Sequence, residues 1–95
     1  MNIGKVIGTV VASRKDPKLE GARLLLVQAC DITGGAKGSQ IVAVDSVGAG
    51  PGEIVLYCAG SSARQTDMTQ NKPVDHVIMA IVDEIEAGNE ITYKK

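Results

Sequence analysis

Asp45-Ser-Val-Gly-Ala-Gly-Pro-Gly-Glu53 is the stretch on which the fold turns. A glycine-rich loop after a β-branched run invites a nucleotide-binding reading, in which a strand leads through glycines into a helix whose N-terminus holds phosphate. The spacing refuses it. The glycines fall as GxGxG at Gly48, Gly50 and Gly52 and not as GxGxxG. Pro51 sits among them, no Gly-Lys-Ser/Thr step follows, and a new β-branched run opens at Ile54 where the helix should begin. The loop therefore joins two strands, and its missing Cβ atoms let backbone approach backbone, as around a symmetry axis or against a neighbouring copy.

Working outward, five β-branched runs stand at the spacing of a small all-β sheet or barrel: Ile3 to Ser13, Arg23 to Ile32, Gln40 to Val47, Glu53 to Ala59 and His76 to Ile85. Lys15-Asp-Pro-Lys-Leu-Glu-Gly21 and Thr33-Gly-Gly-Ala-Lys-Gly38 supply the chain reversals. Ile91-Thr-Tyr93, after Gly88-Asn89, adds a C-terminal edge strand. The first and last runs also fit a helical stripe. Strand is preferred because Gly4 and Gly8 would each cost about 1 kcal/mol inside a helix and because stiff β-branched side chains suit a pleated surface. The second run is apolar on both faces, with Leu24, Leu26, Cys30 and Ile32 on one side and Leu25, Val27 and Ala29 on the other. Its outer face needs a cover, and another protomer is the simplest one.

The 95 residues make one domain, 1–95. A net charge of −1 with 44% hydrophobic residues removes the electrostatic footprint of nucleic-acid binding and sets the chain among globular proteins. No apolar stretch approaches the roughly 18 residues of a spanning helix, and no leader pattern stands at the N-terminus, so a cytosolic chain without membrane partners is expected. Val and Ile number 20, Leu 5, and the only aromatics are Tyr57 and Tyr93. So thin a core gains burial from neighbouring subunits. Cys30 and Cys58 lack metal-ligand spacing, with only His76 as a nitrogen donor, and read as buried free thiols; no metal or cofactor is expected.

Gly60-Ser-Ser-Ala-Arg64 reads as a strand end followed by one short helix, with Ser61 or Ser62 as its cap. Arg64 suits an ion pair with Asp45 or Glu53, within or across subunits. The carboxylates Asp75, Asp83, Glu84, Glu86 and Glu90 form a solvated acidic rim. Nothing joins them, or His76, into a nucleophile, a base and an orienting group, so no enzyme is expected.

The opening Gly4-Lys-Val-Ile-Gly-Thr-Val-Val11, the elements Lys15, Leu19, Gly21 and Leu24-Leu-Leu-Val27, Val42 to Gly50 with Gly52-Glu53, Gly60 to Arg64, and Pro73-Val-Asp75 with Ile81-Val-Asp83 together resemble the EutN/CcmL family of bacterial microcompartment vertex proteins. The glycine loop followed by Gly-Ser-Ser-Ala-Arg is the specific part. The resemblance implies a five-stranded barrel similar to an OB-fold, a cyclic pentamer, and a structural place at the vertices of a polyhedral shell in the bacterial cytoplasm, beside hexameric shell proteins. It implies that Asp45, Gly48, Ala49, Gly50, Gly52, Glu53, Ser61, Ser62 and Arg64 lie at the subunit contact or near the axis. The tail from Ile85 to Lys95 resembles the ethanolamine type, which implies a catabolic compartment. The competing reading of the barrel is a nucleic-acid-binding OB module, for which a basic groove and stacking aromatics are missing.

Overall fold

Alternation along the second run builds the barrel wall: Leu25 and Val27 are fully buried, whereas Leu24, Leu26 and Gln28 between and beside them are half-buried. In the computed structural model, which describes residues 1–66, 69–70 and 74–95, β1 (Asn2–Val10), β2 (Leu24–Cys30), β3 (Ala36–Asp45), β4 (Ile54–Ala59) and β5 (His76–Ile81) close in the order β1, β2, β3, β5, β4. All neighbours are antiparallel except β3 and β5, which meet in parallel at Val44 with Val77 and Asp45 with Ile78. The expected five-stranded barrel is present. Pro73, part of the resemblance, lies outside the described residues.

The interior holds Val6, Leu25, Val27, Ala43, Ala49, Val55, Tyr57 and Ile78. Tyr57 is the aromatic filler of this interior, and Gly4 makes room for it. A Cβ on Gly4 would stand 2.5 Å from Val27 Cγ1 and 2.8 Å from Tyr57 Cε1, closer than packed carbons come.

Two features depart from the sequence reading. The helices are single 3-10 turns, at Pro17–Leu19 and Gly60–Arg64. The fifth run, which gave no sign of a break, ends its barrel pairing at Ile81, and β6 (Glu84–Ala87) then pairs with β7 (Glu90–Lys94) in a separate hairpin. Ile91–Tyr93 thus belongs to that hairpin and not to the barrel's edge. The cause is local: Gly88 and Asn89 take φ of 59° and 66°, the two-residue turn whose twist matches that of a tight hairpin. Thr92 Oγ1 donates to the Ile32 carbonyl at 2.6 Å, which docks the hairpin on the β2–β3 turn.

Outside the barrel the sheet carries two apolar rows. Val10, Leu24, Val44, Val77 and Cys58 are register partners across all five strands. Ala63, Val74, Leu19 and Ala22 pack over this row. The adjacent row, Gly8, Leu26 and Val42, has no such cover among the described residues, and Val42 is 44% exposed. The described residues therefore cover one of the two rows of the outer face that the sequence left open. Beside that row, Ile7 stands out at a β-bulge and Val11 is 92% exposed.

Candidate assembly site

A loop that reverses direction between Asp45 and Ile54 leaves backbone N–H groups without sheet partners, and two carboxylates take them up. Asp45 Oδ1 accepts from the N–H groups of Val47, Gly48 and Ala49 at 3.1, 3.1 and 3.2 Å. Its Oδ2 accepts from Arg23 Nη1 at 2.7 Å, and the same nitrogen donates to the Ala49 carbonyl at 2.5 Å. Asp45 is only 5% exposed, so this charge is held by its partners rather than by water. At the far end, Glu53 Oε1 accepts from the Gly50 N–H at 2.6 Å and Oε2 from Lys95 Nζ at 2.7 Å. The Lys95 ammonium, then the Gly50 N–H, holds the Glu53 carboxyl below its usual range, and Glu53 in turn raises Lys95. Gly52 donates to the Val6 carbonyl at 2.7 Å.

The three glycines have different reasons. Gly48 and Gly52 take φ of 79° and 89°, where a side chain is strained. Gly50 does not, and a Cβ there would meet only Glu53 Oε1 at an ordinary 3.5 Å. Among the described residues nothing demands glycine at position 50. The same is true of Gly8 in the uncovered row, whose Cβ would meet nothing within 4 Å.

The expected pairing of Arg64 with Asp45 or Glu53 does not occur within the chain, because Arg23 and Lys95 already hold those carboxylates. Arg64 Nη1 instead donates to the Val74 carbonyl at 3.2 Å and stands 3.9 Å from Asp75 Oδ1. Ser61 and Ser62 do not cap the turn either. Its first flanking residue is Ala59, extended and without a side-chain acceptor, so both serines stay exposed. Ala49 is buried as part of the barrel core. Asp45, Ala49 and Glu53 thus serve this chain's own loop, while Gly48, Gly52, Ser61 and Ser62 face outward.

Arg23 is the residue that the sequence did not announce. An Asp followed by small residues signals a loop cap, but nothing local names a cation 22 residues upstream. A groove of about 230 Å³ lies on the outer face among Leu19, Leu24, Val42, Val44, Val74, Asp75 and His76. No group of three or more metal-ligating side chains occurs among the described residues. The Cys30 thiol is pushed up by burial and then by Asp31, so it is a poor nucleophile, and Cys58 is buried.

This architecture is a known one. The family model described as ethanolamine utilisation protein EutN/carboxysome matches residues 1–83. The chain belongs to the EutN/CcmL family. It is 40% identical, over its whole length and 96% of the relative, to the bacterial microcompartment shell vertex protein EutN of Salmonella typhimurium. The solved CcmL of Nostoc sp. superimposes with a TM-score of 0.95 at 46% identity, all of each chain being covered. The GrpN pentameric microcompartment shell protein of Rhodospirillum rubrum does so with a TM-score of 0.83 at 45% identity, over 92% of this chain and 99% of that one. Because that CcmL spans the present chain to its end, the hairpin tail does not mark an ethanolamine type, and the reading of a catabolic compartment from it loses its basis.

Proposed function

We propose that this protein is a structural shell component of a bacterial microcompartment that closes into a cyclic pentamer and fills a vertex of the polyhedral shell in the bacterial cytoplasm. The observation that carries this reading is the partly covered outer face: a family member whose row Gly8, Leu26 and Val42 has no cover among the described residues, with Val42 44% exposed. Five-fold closure has a geometric reason as well. Hexagonal tiles alone form flat or rolled sheets, so a closed shell needs five-fold units, and a ring requires a head-to-tail contact between two different patches of one subunit. In this reading one patch is the uncovered row. The other includes the loop backbone at Gly48, Gly50 and Gly52 with Ser61, Ser62 and Arg64, and Asp45, Ala49 and Glu53 shape it from behind. The ring's polar rim meets neighbouring hexameric shell proteins.

The nucleic-acid alternative finds no support in the aromatics: Tyr57 is 6% exposed inside the barrel and cannot stack on a base. Native mass spectrometry of the purified chain tests the ring directly. A species of five subunits is expected, and a monomer at every concentration overturns the reading.

A further inference from the structure

The hairpin begins one residue beyond the part of the chain that the family model matches. Two strands alone are marginal in water, so its conformation depends on where it is docked. One anchor is Thr92 on the Ile32 carbonyl, and Tyr93 lies against the β2–β3 turn, where a Cβ on Gly34 would stand 3.3 Å from its ring. The other anchor is Lys95. Its N–H donates to the Asp83 carbonyl at 2.9 Å, closing the base of the hairpin, and its Nζ reaches the Glu53 carboxylate. That carboxylate spends its second oxygen on the Gly50 N–H.

The two halves of the glycine loop are therefore held by different means. Val47, Gly48 and Ala49 are fixed from within the barrel by Asp45 and Arg23. Gly50, the glycine that nothing among the described residues demands, hangs on Glu53, and Glu53 is oriented by a cation delivered from outside the barrel. We infer that the β6–β7 hairpin is a strap: Lys95 is a positioning residue that holds Glu53 on Gly50 and so fixes the late half of the loop in the shape it offers to the next copy. Asp83 also faces Lys95 and favours its ammonium, while Asp45 faces Glu53 and works against its carboxylate; the Tyr93 phenol beside Lys95 is charged only in alkali.

The inference rests on the loop being a ring contact, and the experiment separates the two ideas. Amide hydrogen exchange at Gly48 and Gly50 and native mass spectrometry over a dilution series are measured on the full chain and on Lys95→Met, Lys95→Arg and Glu53→Gln. In Lys95→Met, exchange at Gly50 rises about fivefold while Gly48 keeps its rate, and the ring comes apart at a correspondingly higher concentration. Glu53→Gln moves Gly50 in the same direction, and Lys95→Arg restores it. Unchanged exchange at Gly50 in Lys95→Met overturns the strap. A parent chain that stays monomeric overturns the ring, and the Gly50 comparison made on that monomer still decides the strap.

Discussion

The glycine loop and the Gly60–Arg64 turn look alike in sequence, both being short stretches of small residues after a strand, yet they spend their polar groups in opposite ways. In the loop, two carboxylates absorb the N–H groups of Val47, Gly48, Ala49 and Gly50, and Arg23 and Lys95 neutralise them. In the turn, among the described residues, the serines cap nothing and Arg64 makes a carbonyl contact and a long, solvent-facing approach to Asp75. One region is complete within a single chain; the other keeps donors and acceptors in reserve. The difference teaches which polar groups the chain's own loop uses and which, among the described residues, it leaves to solvent.

The comparison breaks first at Asp45. Asp45→Ala strands three loop N–H groups and removes the Arg23 ion pair, though the half-exposed guanidinium keeps water and the Ala49 carbonyl, and should cost about 2–3 kcal/mol in urea unfolding. If the loss is under about 1 kcal/mol, the loop does not depend on this carboxylate and the contrast with the turn fails. Gly48→Ala comes next. It forces a side chain into positive φ and should cost about 1–2 kcal/mol, whereas Gly50→Ala should leave the stability of the separated subunit within about 0.5 kcal/mol. An equal loss at both positions would remove the distinction drawn between them.

The turn should respond the other way round. Arg64→Ala is expected to change subunit unfolding by no more than about 0.5–1 kcal/mol while shifting the mass distribution from ring to smaller species. A fall in subunit stability with an unaltered ring would make Arg64 a folding residue. The mildest test is pH. Glu53 is held below its usual range, so the order it gives Gly50 is present above the ordinary carboxylate value and is lost as pH falls through the lowered one. Lys95, raised, keeps its side of the pair up to and beyond the usual lysine range. Gly50 exchange, corrected for its intrinsic pH dependence, should therefore be flat near neutrality and rise only in acid; a rise already at neutral pH contradicts the pairing.

Much of this was legible in the residues. β-Branched runs separated by Pro and Gly reversals located the five barrel strands, because a pleated wall needs side chains of that kind regardless of what they touch. The glycine spacing excluded a phosphate loop for the same local reason. What escaped was non-local. Arg23 and Lys95 are chosen by where the closed barrel brings them, 22 and 42 residues from their carboxylates. The split after Ile81 escaped because β5 and β6 read as one run. Their separation follows from the Val82 N–H pairing with the Ile54 carbonyl at 2.8 Å and from the hairpin turn beyond, neither of which interrupts the apolar pattern. The family likeness was visible because it rests on the loop and turn together, but the tail could not tell one type of compartment from another.

Ala49 has one further consequence. It drops from the loop into the end of the barrel and stands there with no exposed surface, beside a tyrosine that fills the middle. Among the described residues, side chains thus fill the barrel's interior. In the ring proposed above, a solute would have to cross between the copies, so permeability would depend on how they are spaced and not on the barrel itself.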